Sequence, residues 1–187
     1  MALCTEVQTA LDPINASIAS HAGRLTALEA LELDDLATSV AAMATGIYFE
    51  NTVDPQALNN TVRNVTLGTG SEVSGIKVTE GSGGTIAGNT VEDSYAGISL
   101  PYAHGVHVYG NTLRRLAKRG VYILCGSTDI LCENNLIDTA PEGFAFAAYD
   151  IWPSGVTLRN NTATDVSLPV KNGASVTGLI EEGNSWQ

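Results

Sequence analysis

An asparagine returns six times along this chain, at Asn60, Asn89, Asn111, Asn135, Asn161 and Asn184, with gaps of 29, 22, 24, 26 and 23 residues. Each stands beside a short apolar or alternating run. A near-constant period of that size marks a solenoid, whose repeats bury their apolar faces only by stacking on one another. The period speaks to architecture and says little about activity, because a solenoid is a scaffold on which unrelated sites are built.

Aligning the chain on the asparagine exposes its columns. Two residues after it stand Val62, Val91, Leu113, Ile137 and Ala163; five before it stand Val106, Ile130, Val156 and Leu179. A third apolar column follows a glycine, in Gly75-Ile76, Gly97-Ile98, Gly120-Val121 and Gly143-Phe144, with Leu168 expected in the equivalent place. The period-2 partners of these residues are Val78, Leu100, Ile123, Phe146 and Val170. Each coil therefore reads as three short strands with alternating inward residues, separated by Gly and Asn turns.

Three strands per coil at this period fit an all-β fold, a right-handed parallel β-helix of about five to six coils over residues 45–187, its layers about 4.8 Å apart. Identical side chains then lie over one another, and the asparagines form an internal ladder of stacked amides. A repeated structural position accounts for all six, which removes them from any catalytic role.

The runs Asn89-Thr90-Val91, Asn111-Thr112-Leu113 and Asn161-Thr162-Ala163, with Gly-Ile or Gly-Val following the first two, resemble the repeats of the pectate-lyase-like superfamily of right-handed β-helices. The resemblance covers Thr45 to the C-terminus. It implies the architecture and leaves the activity open, since that superfamily includes polysaccharide lyases, hydrolases, epimerases, accessory proteins and bacteriophage tailspikes.

Outward columns explain many of the charged residues. Three residues after the asparagine stand Arg63, Glu92, Arg114, Asp138 and Thr164; two before it stand Tyr109, Glu133, Arg159 and Glu182. Charges that alternate in sign from coil to coil fix register and keep the surface soluble, at about 0–1 kcal/mol for each exposed pair. These positions rank low as catalytic candidates.

Residues 1–44 read differently. Val7, Leu11, Ile14, Ile18, His21, Leu25 and Leu28 are spaced 4, 3, 4, 3, 4, 3, an a/d heptad seam, and Asp12-Pro13 reads as an N-cap and first helical residue. A second short helix is expected from Asp34 or Asp35 to Gly46. So short a seam is marginal alone. Two readings compete: the helices fold over the first coil and hide its open edge, or three chains join through the seam into a parallel trimer. The stretch Arg24-Leu25-Thr26-Ala27-Leu28-Glu29 resembles the short coiled coils that precede β-structured parts of bacteriophage fibres and spikes, which implies the trimer. His21 reads as a polar seam residue.

With 9 basic and 20 acidic residues the chain has a formal net charge of −11, which disfavours nucleic acid and anionic membrane as partners. No basic n-region with a long apolar stretch opens it, so a signal-peptide route is not expected. Cys4, Cys125 and Cys132 lack zinc spacing; no metal or cofactor is expected, and Cys132 reads as a small core residue. Sequons at Asn15, Asn59, Asn64 and Asn160 arise mostly from the repeat.

A ligand site is expected where the coil outline departs from regularity. The coil between Asn135 and Asn161 contributes Tyr149, Asp150, Trp152 and Pro153 in one turn, and earlier coils contribute Tyr102, His104 and Cys125 through Asp129. Stacking would bring Tyr102, His104, Asp129, Tyr149, Asp150 and Trp152 to one edge, where aromatic rings beside carboxylates suit saccharides. The competing reading packs Trp152 and Tyr149 over the insertion or against another subunit. For an enzyme, Asp129, Asp150 and His104 are the nominees, with Asp138 and Glu142 as further acids. None stands in a lyase or epimerase motif, and few basic residues remain to hold an acidic sugar. The expectation is a structural protein of a bacteriophage particle, assembled in the host cytoplasm, with a polysaccharide lyase, hydrolase or epimerase as the alternative.

Overall fold

A computed structural model describes residues 45–66 and 73–187, all within the second of two units into which the chain divides. The heptad residues Leu11, Ile14, Ile18, His21, Leu25 and Leu28, and both expected helices, lie outside the described residues.

The described chain is a parallel β-helix of about five turns. One wall is built from six-residue strands, β1 (Thr45–Glu50), β4 (Ser74–Thr79), β7 (Ala96–Pro101) and β10 (Arg119–Leu124), and continues in the long strands β12 (Leu136–Ala147) and β14 (Thr162–Lys171). A second wall stacks the three-residue strands β2 (Gln56–Leu58), β5 (Thr85–Ala87), β8 (His107–Tyr109), β11 (Leu131–Glu133), β13 (Thr157–Arg159) and β15 (Ile180–Glu182). The third stacks β3 (Thr61–Arg63), β6 (Thr90–Glu92), β9 (Thr112–Arg114), the starts of β12 and β14, and β16 (Ser185–Trp186). All pairings are parallel between successive coils.

Inside, the apolar columns stack in register: Ile47, Ile76, Ile98, Val121 and Phe144 on the long wall, Ala57, Ile86, Val108, Cys132 and Leu158 on the second. One expectation is corrected. Leu168 is 44% exposed and pairs with Glu142, while Val170 takes the inward place beside Phe144. Pro169 occupies the slot that glycine fills in the preceding coils, so the landmark that precedes the inward residue is missing from this coil.

The glycine column has a steric cause. A Cβ on Gly97 would sit 2.6 Å from the Gly120 carbonyl oxygen and 3.1 Å from Leu113 Cδ1, so the position has no room for a side chain. Elsewhere the coil turns at left-handed corners. The residue before each ladder asparagine is one: Asn59, Gly88, Gly110, Asn134, Asn160 and Gly183 all have positive φ. That explains the alternation of Gly-Asn and Asn-Asn in the sequence, since Gly and Asn are the residues that adopt this conformation at least cost.

The ladder itself is continuous. Each Oδ1 accepts two bonds from the preceding asparagine, one from its backbone N–H and one from its Nδ2; from Asn89 to Asn111 both are 2.9 Å. The other Nδ2 proton goes to a carbonyl of the coil before, as from Asn111 to Ile86 at 2.8 Å. The amide-to-amide bonds run from Asn60 through Asn135 and Asn161 to Asn184, and at the first rung the other Nδ2 proton of Asn60 goes to Leu58 of its own coil instead. Buried amides are thus satisfied, the condition for placing them in an apolar core.

Candidate functional site

The edge between the long wall and the second wall carries the nominated residues. It begins with a left-handed corner at Tyr102 (φ 53°) and, one coil on, Cys125 (φ 57°), where Asn51, Glu80 and Asn172 hold the same place in other coils. The corner recurs from coil to coil and belongs to the scaffold; what is particular here is that the bulky Tyr102 and Cys125 occupy it. Beneath them, the buried Ser127 ties two turns together. Its Oγ accepts from the Ala103 N–H at 3.0 Å and lies 2.7 Å from the carbonyls of Leu100 and Leu124, either of which its proton can serve.

Around this corner the structure gathers Tyr102, Cys125, Tyr149 and Asp150, with Trp152 on the same inserted turn. The Tyr102 hydroxyl bonds the Cys125 thiol, and that bond, with the nearby Asp150 charge among the smaller causes, holds the phenol above its ordinary range. Burial pushes the Cys125 thiol up as well, outweighing its bonds to Tyr102 and to the Tyr149 backbone. Both groups stay neutral and neither is a nucleophile at neutral pH. Tyr149 is 82% exposed, Trp152 40% and Tyr102 39%, so three aromatic rings face solvent from two coils of one edge. Asp150 uses Oδ1 to accept the Ile151 N–H at 2.9 Å, which fixes the inserted turn.

His104 and Asp129 stand one step further round. His104 belongs to a column of single bridges with Ser82, Thr128, Ser154 and Thr177, and its Nδ1 is 3.1 Å from Thr128 Oγ1. Asp129 occupies the next left-handed corner, its carboxylate against Gly155, where a Cβ would be 2.8 Å from Oδ1. Among the described residues no three His, Cys, Asp or Glu side chains converge on a point that could hold a metal.

Other nominated acids are engaged elsewhere. Glu142 is buried under Lys118, Arg119 and Lys171. Burial pushes its carboxyl up, but the bonds from Lys171 and Lys118 and the Arg119 charge outweigh this and hold it below the ordinary range. Asp138 lies in the outward column beside Arg114 and accepts a bond from Thr139. The expected charge columns form real contacts: Arg63 to Glu92 at 3.2 Å, Arg114 to Glu92 at 3.7 Å, and Arg159 Nε to Glu133 at 3.0 Å.

A family model described as "Right handed beta helix region" matches residues 37–179, more than half of the chain. The chain belongs to the right-handed β-helix family. No curated protein matches it. Within this β-helix, sequence reasoning placed Cys125 on the edge but missed its bond to Tyr102, and it passed over Lys118, Arg119 and Lys171 as a group. The signal was present in the columns. Cys125 and Tyr102 have the same offset from their strands, and Arg119 and Glu142 both precede a corner glycine in adjacent coils.

Proposed function

We propose that this chain is a non-catalytic, glycan-binding structural β-helix of the kind a bacteriophage particle projects as a fibre, spike or capsid decoration, with copies joined through the N-terminal heptad seam into a trimer. The observation that carries the binding role is the edge where Tyr102, Tyr149 and Trp152 are exposed, with the Asp150 carboxylate near the Tyr102 hydroxyl. Such rings offer flat apolar faces to sugar C–H groups, with a carboxylate to accept from hydroxyls. The assembly role rests on the a/d spacing of Leu11, Ile14, Ile18, His21, Leu25 and Leu28 and on its resemblance to phage coiled coils.

The alternative, a lyase, hydrolase or epimerase acting through Asp129, Asp150 and His104, draws no comparable support from the geometry. Asp150 is engaged with its own turn and His104 with Thr128. Incubation of the full chain with a panel of bacterial surface polysaccharides separates the two readings. Retention of a polysaccharide at unchanged length is the expected result; shortened or newly unsaturated products that vanish with Asp129→Asn or Asp150→Asn would establish the enzyme.

A further inference from the structure

The outer face of the long wall carries a charge imbalance. Glu142, 5% exposed, opens the second half of β12. Its Oε1 accepts from Lys171 Nζ at 2.6 Å and lies 3.2 Å from Lys118 Nζ; its Oε2 accepts from Arg119 Nε at 2.9 Å. One carboxylate therefore faces three cations. Two positive charges are left over at this spot in a chain whose formal net charge is −11. Among the described residues these cations make no ion pair with any other carboxylate.

Donors are left over as well. Each ammonium has protons beyond the one aimed at Glu142, and Arg119 Nη1 is buried with no partner. The guanidinium is held in place by the Tyr122 ring, 4.1 Å from its Cζ. Beside it a cavity of about 50 Å³ opens among Arg119, Tyr122, Glu142, Lys171 and Asn172. That space exceeds the roughly 30 Å³ share of a single liquid water and suits the head of a small oxyanion.

We propose that this cluster is an oxyanion-binding site, which takes one sulfate, phosphate or carboxylate group in the cavity beside Arg119 and Lys171, with Lys118 adding positive charge through its contact with Glu142. Glu142 is the built-in counter-charge. It holds three like-charged side chains together when the site is empty, and it limits affinity when the site is filled. A planar fork beside two flexible ammonium groups is the donor set that recognises such anions. The inference stands apart from the aromatic edge, since none of Tyr102, Tyr149, Asp150 or Trp152 lines this cavity.

Isothermal titration of the full chain with sodium sulfate, against sodium chloride of equal ionic strength, tests it. Saturable binding with one site per chain is expected, weakened at least tenfold in the Lys118→Gln/Lys171→Gln variant. Glu142→Gln is the discriminating change: it should melt at lower temperature without added salt, bind sulfate several-fold more tightly than the parent, and recover its melting temperature on sulfate addition. A parallel titration with glucose 6-sulfate and glucose identifies the source of the anion. Equal affinity for sulfate and the sugar sulfate points to a free anion, and tenfold tighter binding of the sugar sulfate points to an anion carried on a saccharide. The proposal is overturned if sulfate binding is not saturable, or if sulfate stabilises the parent, the double-lysine variant and Glu142→Gln to the same extent, as general salt exclusion would.

Discussion

At Asn111 a single side chain serves two neighbouring coils. Its Oδ1 satisfies the Asn89 N–H and Nδ2, and its own Nδ2 serves Ile86 and Asn135. Asn111→Ala would strand several buried polar groups, and a loss of about 2–4 kcal/mol in urea denaturation is expected. Asn184→Ala, at a half-buried rung of the last coil, should cost clearly less. Gly97→Ala meets a different obstacle. The new methyl would press on the Gly120 carbonyl, which is backbone and cannot swing away, so about 1–3 kcal/mol is expected by the same measurement. Both positions were legible in the sequence because each recurs at a constant offset. Tyr102 and Cys125 were legible only as edge residues, since nothing in their identity announces a positive φ.

At the scale of walls and columns, the ion pairs make stability depend on pH. Glu133 is held below the ordinary carboxylate range by the Arg159 hydrogen bond foremost, with burial opposing; at Glu142 burial opposes and the lysine and arginine contacts prevail. A carboxylate depressed in the folded state stabilises fully above its unfolded value, near 4.5, and that contribution is lost as pH falls through the folded value. Melting temperature should therefore fall below about pH 4.5, and less steeply in Glu133→Gln than in the parent. A rise in melting temperature on acidification through this window would contradict the assignment. The last coil shows how an element ends a column. Glu181 occupies the place of Leu158 and Cys132, so a carboxylate stands where another apolar layer would form, while Trp186 packs its ring 6.0 Å from Phe144. A charge on an exposed edge strand of this kind discourages strand addition there. The slip between Leu168 and Val170 shows the limit of column reading: it depends on landmarks, and with Pro169 in the glycine slot the register comes only from the pairing of β14 with β12. The Glu142 cluster was hidden for a related reason. Lys118 and Arg119 meet that carboxylate from the coil before it and Lys171 from the coil after, and the separation of Lys171 from the other two in sequence conceals their meeting on the wall.

For the molecule as a whole, strands pair almost entirely with partners in the next coil, more than twenty residues away. Parallel pairing at such separation predicts slow folding, on the millisecond-to-second scale or longer, which stopped-flow refolding of the full chain would read. If the heptad seam joins three copies, light scattering of the eluted chain will give three times the 19.5 kDa monomer mass, and Leu25→Asp will reduce it to the monomer. A monomeric parent would remove the trimeric fibre. The composition, the ladder and the paired charges together leave one exposed aromatic edge without a structural explanation in the described residues, and the functional proposal rests there. Its most direct test is the affinity of the full chain for a retained surface polysaccharide, measured beside Tyr149→Ala/Trp152→Ala at equal melting temperature. The account predicts at least tenfold weaker binding in the double variant, about 1.4 kcal/mol, with the polysaccharide uncut. Equal affinity of parent and variant would contradict it.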